Sequence, residues 1–283
     1  MIKDSIAKGL FLLCALVCIA AFLMICAFLF GNAFSTILQI GAFDYIFGLD
    51  WYPEEEIFGI FPMIIGSLYT TALGIFLGAP LGVFSALYLS FFCPNYLKKY
   101  IIPPIELLAA IPSVVYGFFG LVLIVPFLSS VFDGISGKSV LGAGIILSIM
   151  ILPTIVLVSK SGFDSLPRSY FEAALALGAS RERTAFFVLI PAAKSTILAA
   201  IILGVGRAIG EAMAIIMVAG NQAQIPSSIL EGTRTLTTSI VLEMGYATDL
   251  HKEVLILNAV TLFIFILLIN LSFRLFKRKL DAN

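Results

Sequence analysis

The chain has 283 residues, of which 60% are hydrophobic and 12% are charged, and its mean hydropathy is +1.09. Soluble domains are about 45–50% apolar and about 25% charged, so the composition excludes an ordinary soluble protein and indicates one embedded in lipid. Basic and acidic residues both number 17. A net charge of zero excludes a whole-chain electrostatic attraction to nucleic acid.

Apolar runs along the chain predict the membrane topology, because a crossing helix needs about 20 mostly apolar residues. Thirteen Lys and Arg residues fall on the side of the termini, three on the opposite side and one inside a span. Since positive loops stay in the cytoplasm, we predict an all-α membrane protein with both termini inside. The six predicted spans are Leu10–Phe30, Ile64–Phe92, Ile105–Val131, Val140–Ser159, Ala192–Gly220 and Val254–Phe273.

The spans divide the chain into three parts. Residues 1–63 form an N-terminal anchor with an acidic outer segment, residues 64–275 form the transmembrane core with a cytoplasmic loop at 160–191, and residues 276–283 form a basic cytoplasmic tail. The first apolar run of 21 residues is longer than the roughly 7–15 residues of a signal-peptide core, so we expect an uncleaved anchor. In the outer segment, Trp51 and Tyr52 suit a membrane interface. Its acidic run is either a solvated loop or a contact for an external partner.

The second and third spans contain small residues and proline. Gly74, Gly78 and Gly82 recur every four residues and predict a face on which another helix packs closely. In the third span, Ser113 and Tyr116 share a helix face three residues apart, just after a proline. This span is either a broken helix that lines a transport path or an ordinary packed helix.

The outer stretch Ser136–Ser139 reads SGKS and could be mistaken for a phosphate-binding loop. That motif, G-x-x-x-x-G-K-[ST], requires a further glycine five residues before Gly137, and Phe132 occupies that position. We find no other nucleotide-binding motif. The chain itself is therefore not predicted to hydrolyse ATP.

The longest polar interval on the cytoplasmic side is Leu166–Pro191, which reads LPRSYFEAALALGASRERTAFFVLIP. Pro167 is placed to start a helix and Gly178 to end or bend one. We predict a short helix, a turn and a second helix that continues through Pro191 directly into the fifth span.

This interval follows a specific pattern: E-A-A, three residues, G, nine residues, and a short apolar group that ends in proline. It resembles the EAA loop of the membrane subunits of binding-protein-dependent ABC importers. In that family the loop forms coupling helices that dock into a groove on the ATPase subunit. The resemblance implies that the coupling residues are Glu172, Ala173, Ala174, Gly178 and Pro191.

The fifth span carries Arg207 at its centre and Glu211 four residues later. An arginine at mid-bilayer costs about 2.5–3.5 kcal/mol, so we expect it to be paired or to face a water-filled path. Two interpretations are open. Arg207 and Glu211 form a structural ion pair, or Arg207 meets an anion in transit and Glu211 holds the guanidinium fork when the site is empty. Gly206 and Gly210 are predicted to let another helix approach.

The outer segment Asn221–Glu253 contains several hydroxyl residues around Arg234. It is either the outer mouth of an anion path or an ordinary polar loop. The only histidine, His251, lies there as well, and it is either solvated or part of a proton relay.

A narrower resemblance rests on four stretches: FGIFPMIIGSLYTT from residue 58, IELLAAIPSVVYGFFGLV from 105, GRAIGEAMAIIMVAGN from 206 and RTLTTSIVLEMGYA from 234. They are similar to the C-type permease subunits of phosphate-specific ABC importers, over most of Phe58–Asn270. The resemblance implies a type I importer permease fold of the MetI-like class in the prokaryotic cytoplasmic membrane. It also implies that Arg207 and Glu211 are tied to phosphate passage, with Ser113 and Tyr116 as further candidates for the path.

The same resemblance implies the partners of the chain. They are a second homologous permease subunit, two ATPase subunits that hold ATP and Mg²⁺, and an extracytoplasmic phosphate-binding protein. No cofactor is expected on this chain. A permease for sulfate or molybdate is an alternative, and a stand-alone ion-coupled carrier is another. Against the carrier, the six spans show no clear internal repeat, and the EAA pattern would have no purpose.

Overall fold

The computed structural model describes residues 2–132 and 136–282, with side chains described for 7–132 and 136–275. The side chains of Lys3 and of the predicted basic tail 276–283 lie outside these ranges. The described structure is mostly helical, because a segment in lipid must satisfy its backbone hydrogen bonds internally. The helices are α1 Ile2–Ile40, α2 Ala42–Phe47, α3 Phe61–Leu87, α4 Asn95–Ala110, α5 Ser113–Phe119, α6 Val125–Val131, α7 Val140–Asp164, α8 Arg168–Ala176, α9 Arg181–Thr184, α10 Ile190–Ala192, α11 Lys194–Ile209, α12 Met213–Val218, α13 Leu236–Glu243 and α14 Asp249–Ala282.

Short elements complete the backbone. A two-stranded antiparallel hairpin pairs β1 Trp51–Tyr52 with β2 Ile57–Phe58, and a 3₁₀ turn joins the two strands. Three π-helical turns join or extend helices. Tyr88–Phe92 follows α3, Gly120–Ile124 joins α5 to α6, and Ala185–Leu189 joins α9 to α10.

Within the described residues, five helical stretches are long and apolar enough to cross a membrane, and a bent pair of helices provides up to a sixth. The bent pair joins Arg181–Ala192 to Lys194–Ile209 at an angle of 73°. The predicted all-α membrane fold is confirmed, with its fifth span bent. The five continuous stretches are Ala7–Ile40, Phe61–Phe92, Ser113–Val131, Val140–Asp164 and Asp249–Leu275.

Two predicted spans are wrong in their bounds. The third begins at Ser113 and not at Ile105, because α4 is a separate helix that ends before Ile111. Ile111 has an extended backbone, with ψ at 130°, as expected of a residue that precedes a proline. The fifth is not one helix from Ala192 to Gly220, since α11 ends at Ile209 and α12 begins at Met213.

The glycines of α3 place it directly against α7, as their spacing predicts. A Cβ added at Gly74 would lie 2.9 Å from the Leu147 side chain, and one at Gly82 would lie 2.7 Å from Ile155. At Gly78 it would lie 3.0 Å from the Ser148 carbonyl oxygen. Helix α7 is therefore the packed centre of the core, and most of its span is buried.

A second apolar cluster lies on the outer side. It joins the end of α1, the hairpin, α13 and the first turns of α14. Trp51 belongs to this cluster and is only 7% exposed, so its predicted place at the membrane interface is wrong. Its neighbour Tyr52 is exposed. Helix α1 itself presents apolar side chains outward along most of its length, as a lipid-facing anchor does.

Candidate functional site

Arg207 lies near the end of α11 and is half-buried. Its Nη1 donates a hydrogen bond to the Thr154 hydroxyl of α7, with a distance of 3.1 Å. It also interacts electrostatically with Tyr116 on α5, which is buried. The structure thus brings two of the predicted path residues together and adds Thr154. Sequence reasoning missed Thr154 because it lies 53 residues away from Arg207 and is one hydroxyl in an apolar span.

Glu211 is not the partner of Arg207 among the described side chains. It lies in the break after α11, where its Oε1 accepts a hydrogen bond from the Ala214 backbone N–H at 3.0 Å. Its carbonyl oxygen accepts one from the Thr237 hydroxyl at 2.8 Å. The predicted pair requires a continuous helix, since residues four apart face each other only there. The helix ends at Ile209, so the ion-pair interpretation is wrong for this conformation.

The face of α11 beside Arg207 borders open space. A Cβ built on Gly206 meets no described atom within 4 Å, and one on Gly210 meets only carbonyl oxygens of its own helix. No helix among the described residues packs on these two glycines, so their predicted role in admitting another helix stays a prediction. The described hydrogen bond of the guanidinium is the one to Thr154.

Ser113 is the first residue of α5 and is half-buried. Tyr116, one turn later, donates its hydroxyl hydrogen to the Leu108 carbonyl at 2.7 Å and so ties α5 to the end of α4. The helix is broken just before Ser113, as one of the two interpretations required. A hydrogen bond between Ser113 and Arg207 is absent from the described contacts, so Ser113 stays a prediction.

The outer segment holds a buried charged network, and the interpretation of it as an ordinary polar loop is wrong. The Glu243 carboxylate accepts hydrogen bonds from Trp51 Nε1 at 2.9 Å and from Arg234 Nη1 at 2.5 Å. It is also 2.8 Å from His251 Nε2, whose side chain is 14% exposed. The prediction of a solvated histidine is therefore wrong. Because Glu243 neutralises it, Arg234 cannot offer a free charge to a passing anion.

Gly178 ends the first helix of the cytoplasmic loop in a left-handed conformation, with φ at +84°. Its N–H bonds to the Leu175 carbonyl at 2.9 Å, and the Ala179 N–H bonds to the Ala174 carbonyl at 3.1 Å. This is the Schellman motif, in which glycine is favoured because it has no Cβ. Ser180 then caps α9 through the Arg183 N–H. The predicted helix, turn and helix are confirmed.

The coupling residues lie on the outside of this loop. Glu172, Ala173, Gly178 and Pro191 are exposed, Ala174 is half-buried, and Leu177 at the tip is 89% exposed. Glu172 also lines a cleft of about 670 Å³ between α8 and the cytoplasmic ends of α3 and α7.

The loop does not continue straight into the Arg207 helix. The chain bends by 73° between Ala192 and Lys194, so the prediction of one continuous helix through Pro191 is wrong. Proline has no N–H for the carbonyl four residues earlier, and a π-helical turn precedes Pro191.

Residues 78–282 match the family model of the binding-protein-dependent transport system inner membrane component. The chain belongs to this family. Members of the binding-protein-dependent family are inner-membrane permeases, which agrees with the cytoplasmic loop described above. The probable ABC transporter permease protein YqgH of Bacillus subtilis (strain 168) is 43% identical over 83% of this chain and 77% of its own length.

Two further relatives are phosphate transport system permease proteins PstC. That of Mesorhizobium japonicum is 33% identical and covers 90% of this chain and 84% of its own length. That of Haemophilus influenzae is 31% identical over 95% of this chain and 92% of its own length.

Solved structures of importers share the fold. A chain of the bacterial alginate ABC transporter, in complex with an alginate pentasaccharide-bound periplasmic protein, has a TM-score of 0.68 at 20% identity and covers 98% of this chain and 96% of its own. A chain of the inward-facing MetNI methionine transporter has a TM-score of 0.58 at 20% identity, over 78% of this chain and 94% of its own. This binding-protein-dependent permease therefore has the type I ABC importer fold of the MetI-like class.

Proposed function

We propose that this chain is the permease subunit through which an ATP-driven importer moves inorganic phosphate. The observation that carries the proposal is the state of Arg207. It is a half-buried guanidinium in a membrane core, without a carboxylate partner among the described side chains, and the adjacent Gly206 position meets no described atom within 4 Å. Ionisable groups inside a membrane mark substrate pathways by default, because their cost is otherwise uncompensated.

The chemistry of this site suits a tetrahedral oxyanion. A guanidinium offers a planar fork of N–H donors that matches two oxygens of such an anion. The Thr154 hydroxyl is bonded to Arg207, and Tyr116 lies within electrostatic range of it, so both add polar groups near the guanidinium. Sulfate and molybdate present the same shape, so they are the second candidates. The PstC names of two relatives favour phosphate.

We propose that ATP is hydrolysed by two partner ATPase subunits, which also hold Mg²⁺, and that this chain binds no cofactor. The loop around Gly178 supports docking to such a partner. It presents an almost fully exposed Leu177 between two capped helices, in the loop whose pattern resembles that of the family's coupling helices. Glu172, Arg181 and Arg183 are exposed on the same loop.

Two further partners complete the proposal. A second, homologous permease would close the open side of α11 beside Gly206 and enclose the path. An extracytoplasmic phosphate-binding protein would deliver the anion to the outer surface. A stand-alone carrier is disfavoured because the exposed loop with its two capped helices would then have no partner protein to bind.

The proposal is tested by uptake into proteoliposomes that contain the complex purified by a tag on this chain. We expect ATP-dependent uptake of labelled phosphate that a tenfold excess of sulfate or molybdate does not compete away, a discrimination of about 1.4 kcal/mol or more. Uptake of sulfate without uptake of phosphate would make sulfate the substrate in place of phosphate. Uptake driven by an ion gradient without ATP would support the carrier instead.

A further inference from the structure

Three phenylalanine rings attach the coupling loop to the transmembrane core. Phe171 of α8 lies on Phe91, which follows α3, with ring centroids 5.6 Å apart. Phe91 in turn meets Phe163 of α7 edge-on at 6.2 Å. Phe163 is fully buried, whereas the other two rings are half-buried. Displacement of α8 by a docked partner therefore pushes through this ring stack on the cytoplasmic end of α7.

The same helix touches the candidate substrate site. Thr154 of α7 accepts the hydrogen bond from Arg207, and it precedes Phe163 by nine residues. At 1.5 Å per residue, the two contact points are about 14 Å apart along one helix. Helix α7 thus gives the coupling loop a second connection to the arginine, beside α11, which the 73° bend separates from the loop.

The half of α7 that follows Pro153, here called the lever, packs closely against α11. Proline inside a helix lacks the N–H for the carbonyl four residues earlier and is the usual cause of a bend. Pro153 lies inside α7, directly before Thr154. The part beyond it is closely packed, since a Cβ at Gly162 would lie 2.6 Å from Thr196 and one at Gly204 would lie 3.0 Å from Ile155. Closely packed segments move as units, because interiors transmit strain with little compression.

We propose that Thr154–Asp164, the cytoplasmic half of α7, carries movement of the coupling loop to Arg207. Phe163 and Thr154 are its two contact points. Phe171, which reaches Phe163 through Phe91, and Thr154 act as positioning residues for transport. ATP-driven displacement of α8 shifts this segment together with the part of α11 packed against it, and Arg207 moves with them. The proposal rests on the proposed function in one respect, that ATPase subunits drive the loop.

The test uses the assembled complex with matched variants at both ends of the lever. Phe171→Ala removes the ring and Phe171→Leu keeps an apolar side chain in case the alanine variant does not assemble. Thr154→Val removes the hydroxyl at nearly constant shape, whereas Thr154→Ser keeps a hydroxyl at this position. Phe186→Ala is the control, because Phe186 belongs to the same loop but its ring meets Phe84 of α3, at 5.9 Å.

The first readout is phosphate transported per ATP hydrolysed in proteoliposomes. We expect Phe171→Ala and Thr154→Val each to lower this ratio by at least about fivefold, the lower end of usual coupling between sites. Phe186→Ala and Thr154→Ser should stay within about twofold of the unaltered complex. The Phe171→Ala, Thr154→Val double variant should be no worse than either single one, because each already interrupts the same lever, whereas independent distant sites would multiply.

The second readout does not depend on the substrate. Gly206→Cys, in a background without the four native cysteines, places a thiol beside Arg207 where a Cβ meets open space. Its labelling by a membrane-impermeant maleimide is compared with and without trapped ATP. We expect an ATP-dependent change that Phe171→Leu reduces and Phe171→Ala abolishes. The proposal would be overturned if both Phe171 variants kept the full ATP-dependent change in labelling. It would also be overturned if the losses in the ratio of phosphate to ATP multiplied in the double variant. Failure of the unaltered complex to take up phosphate would contradict only the proposed substrate.

Discussion

The guanidinium of Arg207 is hydrogen-bonded to Thr154 of α7, at 3.1 Å, whereas the carboxylate of Glu211, four residues later, accepts a hydrogen bond from the Ala214 N–H. The two charged residues are thus separated by the end of a helix, although they are only four positions apart. Arg207 has no carboxylate partner among the described side chains, while Glu211 bonds across the break to the Ala214 N–H and the Thr237 hydroxyl. This arrangement assigns the two residues different tasks.

A double-substitution experiment separates these tasks. Removing one member of a buried ion pair leaves an uncompensated charge, and removing the second member relieves it. Because Arg207 and Glu211 are not paired, we expect Glu211→Ala to cost about 1 kcal/mol, as the loss of a helix cap does. Its effect should add to that of Arg207→Ala within about 0.5 kcal/mol. Thermal unfolding of the detergent-solubilised protein measures both, and a double variant more stable than Arg207→Ala would restore the ion-pair interpretation.

The coupling loop should depend on the backbone of Gly178 more than on space around it. Its φ is +84°, and a Cβ there meets no atom within 4 Å among the described residues. Gly178→Ala should therefore cost about 1 kcal/mol through the left-handed conformation alone, and Gly178→Asn should cost less because asparagine tolerates it. We expect co-purification of the ATPase subunits to fall with alanine and to recover with asparagine. Equal ATPase recovery with all three residues would argue against a role for the Schellman turn.

The outer network should contribute strongly to stability. Glu243 is buried and joins Trp51, Arg234 and His251, which come from three separate segments of the outer side. Glu243→Gln keeps the shape but leaves the Arg234 charge uncompensated, so the free energy of unfolding should fall by about 3–5 kcal/mol. Glu55→Gln, an exposed change in the turn of the outer hairpin, is the matched control and should leave stability unchanged. Chemical denaturation of the purified protein compares the two.

The contact between α3 and α7 should tolerate no added carbon at Gly82. A Cβ there would lie 2.7 Å from Ile155 Cγ2 and 2.9 Å from Ile155 Cβ. We expect Gly82→Ala to destabilise the protein by about 1–3 kcal/mol, the usual cost of overpacking a core. Gly206→Ala is the control, because it adds the same carbon where the chain is open and alanine is the better helix former. Similar melting temperatures for the two variants would contradict this packing.

The sequence predicted the number of crossings and the coupling loop because both depend on local patterns. Apolar runs have a minimum length in lipid, and Gly178 follows a short amphipathic helix at the position where a Schellman turn needs it. The break at Ile111 was one of two open interpretations, and Pro112 was its signal, since the residue before a proline leaves the helical conformation. The break at Gly210 was missed, and no comparable signal marks it.

Contacts between distant segments could not be read from the sequence. Trp51 and Glu243 are 192 residues apart, and nothing local to either indicates that an outer hairpin and α13 meet. Thr154 is likewise one hydroxyl in an apolar helix, identified as part of the site only by its distance to Arg207. Conversely, the four-residue spacing of Arg207 and Glu211 suggested a pair, because spacing alone does not reveal where a helix ends.

Transport by Arg207→Ala tests the central claim most directly. The measurement is ATP-dependent uptake of labelled phosphate by proteoliposomes, with Arg207→Lys as the variant that keeps the charge but not the planar fork. We expect Arg207→Ala to assemble with its partners and to lose uptake by at least about a hundredfold, or about 2.7 kcal/mol, with Arg207→Lys between it and the unaltered complex. Uptake at the unaltered rate by an assembled Arg207→Ala complex would contradict the account.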